Sequence, residues 1–145
     1  VPQGLSACIS FNPEEEVEAN TEAMNEAITL VKTGSITYAV KDTTVDGREI
    51  NSGDYMAILE KDIIFNEKDK LAVTKELIKN MCDEDTEVVT LIKGSEATDE
   101  ECEEIRQFIE QNYNVDIDVE DGQQPVYSFI NKMIRNILIY GMFLF

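Results

Sequence analysis

Histidine and tryptophan are absent from this 145-residue chain, and basic residues are scarce, with 12 Lys and Arg against 30 Asp and Glu. Without histidine there is no side chain titrating near neutral pH, no Ser-His or Cys-His pair, and no imidazole for zinc. A formal charge of −18 argues against nucleic acid as a partner, because phosphate backbones are held by basic faces that release counterions. It also opposes binding to anionic membrane surfaces. The three cysteines, Cys8, Cys82 and Cys102, are odd in number and lack a C-x-x-C motif, which makes a poor disulfide framework. Reduced, mostly buried thiols in a cytoplasmic protein are expected. No run of about 18 apolar residues is present, so no membrane-spanning helix is expected. The seven glycines are dispersed and form neither G-x-x-x-x-G-K-[ST] nor G-x-G-x-x-G.

What remains is a globular composition, 43% hydrophobic and 29% charged, at a length that suits one domain. The chain starts without Met and without a basic, then apolar, leader, and it reads as part of a longer polypeptide. Asn12-Pro13-Glu14-Glu15 carries an Asn cap and a proline at the first helical position, so a helix is expected from there. Its apolar face would hold Val17, Met24, Ile28 and Val31, and Gly34 would end it. Ile36 to Val40 reads as a strand, and Val45-Asp46-Gly47-Arg48 carries the Asp-Gly pair of a tight hairpin. Tyr55 to Leu59 and Ile63 to Phe65 give two more short strands, which completes a small meander.

Helix and strand then alternate. Lys70 to Met81 is helical, and Val88 to Ile92 is a continuous apolar run of the kind covered on both faces. Thr98-Asp99-Glu100-Glu101 is a capping box that opens a helix with Cys102, Ile105, Phe108 and Ile109 inward. Val115, Ile117 and Val119 alternate with acids as a half-buried strand. The fold class is α/β: a hairpin and meander, then β-α-β-α-β, giving a mixed or parallel sheet with packed helices.

Acidic clusters are the abundant candidates for chemistry. Counting a calcium loop from Asp116 puts Asp121 where glycine is needed and Tyr127 where the bidentate Glu belongs, so calcium fails. Asp83-Glu84-Asp85 reads as a solvated turn, although three acids at a helix C-terminus oppose the dipole. Lys41 and Arg48 are the only basic residues near the hairpin, too few to stabilise a transferring phosphoryl group. No catalytic or metal-binding residue is assigned.

The block Thr33 to Ile50, followed by Gly53-Asp54-Tyr55-Met56, resembles the C-terminal domain of the fatty-acid kinase catalytic subunit, among the dihydroxyacetone-kinase-like proteins. Val1-Pro2-Gln3-Gly4-Leu5 with Phe11-Asn12-Pro13, Asp83 to Glu87 with its strand and Gly94, and Gly122-Gln123-Gln124-Pro125-Val126-Tyr127 agree in order. The resemblance implies a DegV-like fold and a bacterial, cytoplasmic kinase subunit of lipid metabolism. It implies that ATP and Mg²⁺ bind an N-terminal domain outside these residues, which phosphorylates a fatty acid on a DegV-like carrier protein. The present domain would be a non-catalytic piece that helps dock that carrier, and any oligomer would form through the other domains. Contact is expected from the exposed hairpin residues Asp42, Thr43, Thr44, Asp46 and Arg48, with Tyr127 in the closing motif. The alternative is a lipid or small-ligand binding module holding an acyl chain.

Two departures from the family pattern stand out. Gln123 replaces a glycine of the closing motif, which matters if that position needs φ > 0. The family pattern ends near Ile130, so the expected division is a domain over 1–130 and an unmatched apolar tail over 131–145. Lys132 and Arg135 put +2 on that tail, and the whole-chain −18 therefore leaves −20 on the first 130 residues.

Overall fold

The structure, a computed structural model, describes residues 2–135. Helices α1 (Pro2–Ile9) and α2 (Val17–Thr29) lead into β1 (Val31–Tyr38). A small hairpin of β2 (Thr43–Val45) and β3 (Arg48–Ile50) follows, then β4 (Tyr55–Leu59) and β5 (Asp62–Glu67). The remainder is α3 (Lys70–Met81), β6 (Thr86–Lys93), α4 (Asp99–Asn112), β7 (Asp116–Asp121) and β8 (Phe129–Arg135). The main sheet has the order β5-β4-β1-β8-β6-β7, and the hairpin forms a separate two-stranded sheet.

This is the mixed α/β architecture expected, although its pairing is mainly antiparallel. Among the described strands, only β6 and β7 pair in parallel. The last strand, β8, inserts between β1 and β6 and runs antiparallel to both. Strand β8 runs through Arg135, so residues 131–135, read from the sequence as the start of an unmatched tail, pair in the middle of the sheet. The readings made for residues 136–145 lie outside the described residues.

The core lies on the face covered by α3 and α4. Ile36, Ala57, Val89, Leu91, Phe129 and Met133 of the sheet meet Val73, Leu77, Ile78 and Met81 of α3, and Ile105 and Ile109 of α4. Burying each large aliphatic side chain contributes about 1.5–3 kcal/mol. Gly34 sits inside β1 and faces this core. A Cβ there would strike the Met81 sulfur and the Leu77 methyls, so the glycine allows α3 to lie close to the sheet. It does not end a helix, as the sequence pattern suggested.

Local chemistry explains the other differences. The Asn12 carboxamide oxygen accepts from Glu14 N at 3.1 Å, so Asn12-Pro13 makes a turn rather than a helix cap. Asn20, the only buried residue of α2, staples that turn by accepting from Asn12 N and donating to the Asn12 and Glu15 carbonyls. Helix α2 therefore starts at Val17, and its apolar stripe points away from the core. Val17 is 75% exposed and Ile28 41% exposed. Strand β6 is buried chiefly on one face, through Val89 and Leu91, rather than on both. Helix α3 has the bounds expected, and the Thr98–Glu101 capping box of α4 is present. Lys32 supplies the cation that the α3 C-terminus needs, donating to Met81 O at 3.2 Å and to Asp83 at 3.0 Å.

Candidate functional site

Strands β1, β5, β6 and β7 run in the same direction, so their carboxyl ends share one rim of the sheet. Helices α3 and α4 start at this rim, and the hairpin leaves from it. In open sheets this end is where connecting loops gather and ligands are met. The loops here belong to residues 39–54, 93–98 and 121–128.

The Asp46-Gly47 turn has φ of 49° and 79°, the left-handed pair that a type I′ hairpin requires. Thr43 pairs with Ile50, Thr44 with Glu49, and Val45 with Arg48. The arm is tied back to the edge strand β5. Arg48 Nη2 donates to Ile64 O at 2.9 Å, and Asn66 Nδ2 donates to Glu49 O at 3.1 Å. At its base, the Asp54 carboxylate accepts from Asn51 N at 2.9 Å and Asn66 Nδ2 at 3.0 Å. These donors, the Asn51 backbone first, hold the Asp54 pKa below its ordinary value. Asp42 accepts from Ser52 N at 2.7 Å.

Three of the sequence-derived candidates thus have structural tasks: Asp42 ties the hairpin base to Ser52 N, Asp46 makes the turn, and Arg48 anchors the arm. Thr43 and Thr44 are exposed, and no hydrogen bond involves their hydroxyls among the described residues. Tyr127 is half exposed on the closing loop. The structure brings hairpin and closing loop to one rim.

The closing loop is held by backbone hydrogen bonds. Gly122 N and Gln123 N donate to Lys93 O, Ser95 N to Gln124 O, and Gly94 N to Ser128 O. Gly94 has no space for a Cβ because the Tyr127 carbonyl lies against it. Thr37 Oγ1 donates to Val126 O at 2.8 Å. Gln123 takes φ of 50°, so the position of the missing family glycine does need the left-handed region. Val126 is at φ 73°, and Tyr127 N donates to Pro125 O at 2.8 Å. That is a tight γ-turn, rare for a β-branched residue. It leaves Val126 54% and Tyr127 39% exposed, beside the exposed Tyr38 and Val40 at the end of β1. Sequence reasoning missed Tyr38, Val40 and Val126, because their exposure follows from where strands end.

Two lysines at this rim are paired with acids, while Lys41 and Lys68 are exposed. Lys93 meets Asp99 at 2.6 Å, and that hydrogen bond raises its pKa. Lys70 meets Glu101 at 2.8 Å. Asp69 caps α3 through Leu71 N and Ala72 N, and Thr98 caps α4. The helix N-termini that would otherwise attract an anion are occupied by side-chain oxygens of the chain itself. The rim offers exposed acids, hydroxyls and an aromatic knob, a surface suited to contact with another protein.

At the opposite end of the sheet, Glu84, Asp85, Glu87, Asn114 and Asp116 line an open recess. Among the described residues, no group of three or more His, Cys, Asp or Glu is placed to hold a metal ion. No helix among them is long and apolar enough to cross a membrane. Burial raises the thiol pKa of Cys102 and takes that of Cys82 to about 11, so neither is a reactive thiolate.

Comparison with known proteins bears on this arrangement. Protein YloV of Bacillus subtilis is 42% identical over 131 residues, 90% of this chain and 24% of that protein. Uncharacterized protein SH1689 of Staphylococcus haemolyticus is 34% identical, and SSP1546 of Staphylococcus saprophyticus 35%, over the same coverage. The chain thus spans about a quarter of the length of these relatives. The family model of the FakA-like C-terminal domain of fatty acid kinase matches residues 1–132, and the chain belongs to that family.

Proposed function

We propose that this domain docks a fatty-acid-carrying protein of DegV-like fold for phosphorylation by a kinase domain elsewhere in the parent polypeptide. It is a non-catalytic portion of a cytoplasmic kinase, and ATP and Mg²⁺ belong to the other domain. The observation that carries this reading is the rim itself. A rigidly anchored hairpin and a strained closing loop present unbonded hydroxyls and an apolar knob at one end of the sheet, while Lys70 and Lys93 there are paired with acids. Family membership supplies the kinase context.

The contacts fall to Thr43, Thr44 and Tyr127, with Val126, Tyr38 and Val40 around them. Asp42, Asp46 and Arg48 hold the arm in place. Pull-down of the purified carrier by this chain tests the reading directly. Thr44→Arg together with Tyr127→Ala is expected to abolish retention without lowering thermal stability. Equal retention by both proteins would refute it.

The acyl-binding alternative has less support. The most apolar groove among those described, between α1, α2 and the sheet, is about 250 Å³ and open. Ligand sites that enclose a molecule of that size run to about 300–1,000 Å³.

A further inference from the structure

Helix α2 carries Val17, Met24 and Ile28 at the spacing of one helical stripe, and such a stripe normally faces a core. Here it does not. Val17 is 75% exposed, and the single buried residue of α2 is Asn20. Helix α1, which packs on α2, also exposes apolar side chains, with Leu5 58% and Ile9 81% exposed, and Phe11 follows at 53%. In a chain that is 29% charged, α1 has no charged residue over Pro2–Ile9. Exposed aliphatic and aromatic side chains gathered on an uncharged helix mark an interaction surface, and on α2 they are rimmed by the exposed acids Glu18, Glu22 and Glu26. The open groove where Ile9, Ala27, Leu30, Val31 and Ile134 meet Ser6, Ser10 and one charged side chain, Lys132, adjoins this surface.

We propose that the α1–α2 face is an intramolecular interface, covered by the part of the parent polypeptide that precedes residue 1. Two observations select this occupant. The family is a C-terminal one, and the matched region is only 24% of each relative, so most of the remaining length enters this domain through α1. Direct connection then gives that segment a high effective concentration at the patch. A free partner would lack this advantage. The face lies on α1 and α2, away from the carboxyl rim, so both surfaces can be engaged at once and the proposal does not rest on carrier docking.

Cys8 reports on the face. It is exposed on α1, while burial keeps Cys82 and Cys102 protonated. The test fuses the preceding portion of the Bacillus subtilis relative to Val1 and compares Cys8 labelling by a thiol reagent, read by peptide mass spectrometry, with that of the isolated chain. Labelling about tenfold slower in the fusion is expected, as for an interface closed roughly nine-tenths of the time. Ile9→Glu with Val17→Glu should restore the fast rate in the fusion and leave the melting temperature of the isolated chain unchanged. Equal labelling of fusion and isolated chain overturns the proposal. Protection that grows with the concentration of the isolated chain also overturns it, by assigning the face to a second copy. As an independent measurement, the isolated chain should bind a hydrophobic dye and lose most of that signal in the double variant. Absence of dye binding would contradict an open apolar face.

Discussion

Asn131 is the position where one substitution should make this protein more stable. It lies in β8 between Gly34 of β1 and Leu91 of β6, is fully buried, and shares the core-facing side of the strand with Phe129 and Met133. Neither its Oδ1 nor its Nδ2 has a hydrogen-bond partner among the described residues. A buried amide without partners costs about 1–3 kcal/mol in proteins, since water is lost and nothing replaces it. Asn131→Val removes both polar atoms and installs a β-branched side chain suited to a central strand. The expected gain is about 1–3 kcal/mol, or roughly 3–10 °C in melting temperature for a domain of this size. Urea unfolding is the assay, and the midpoint should rise at an unchanged slope, because the surface exposed on unfolding hardly differs. Asn131→Asp should do the opposite by burying a charge. A loss of about 1 kcal/mol or more in Asn131→Val would refute the reasoning, since it would mean that the amide is hydrogen-bonded in the folded protein.

Other substitutions test the backbone and the acid arm. Gln123→Gly and Val126→Gly relieve left-handed φ angles of 50° and 73°; each should add about 0.5–1 kcal/mol net of the glycine's unfolded-state entropy, read by thermal melting. Gly34→Ala pushes a methyl into Met81 and Leu77 and should cost about 1–3 kcal/mol by overpacking, read in the same urea assay. Asp54 has a depressed pKa, so its contribution is present above the ordinary value of 3.8 and is lost as pH falls through the lower folded value. Asp54→Asn should therefore be less stable than the parent at neutral pH, with the gap closing in acid; a gap that stays constant down to the acid transition would contradict this.

The elements legible in the sequence were those with local chemistry. Helix α3, the Thr98–Glu101 capping box and the Asp46-Gly47 hairpin need only neighbouring residues to form, and the structure has each where the sequence pattern puts it. What depended on distant contacts was not legible. Gly34 looked like a helix end because nothing nearby in sequence reveals that Met81 and Leu77 will lie over it. The α2 stripe looked like a core face, yet the Asn12–Asn20 staple turns the helix so that Asn20 is buried instead. The position of β8 between β1 and β6 is a property of the whole sheet, and no periodicity encodes it. For the candidate site, the hairpin was found, but the tasks of Asp42 and Arg48 became clear only from their partners, Ser52 N and Ile64 O.

The proposed docking at the carboxyl rim is tested most directly by steady-state phosphorylation of the proposed fatty-acid carrier by the parent polypeptide bearing Thr44→Arg and Tyr127→Ala. Neither side chain hydrogen-bonds within the described domain, so the kinase should fold and turn over normally at saturating carrier. The expected result is a KM for the carrier raised about tenfold with kcat unchanged, the signature of lost binding that is equal in ground and transition states. An unchanged KM, or a fall in kcat alone, would contradict a docking role for this rim.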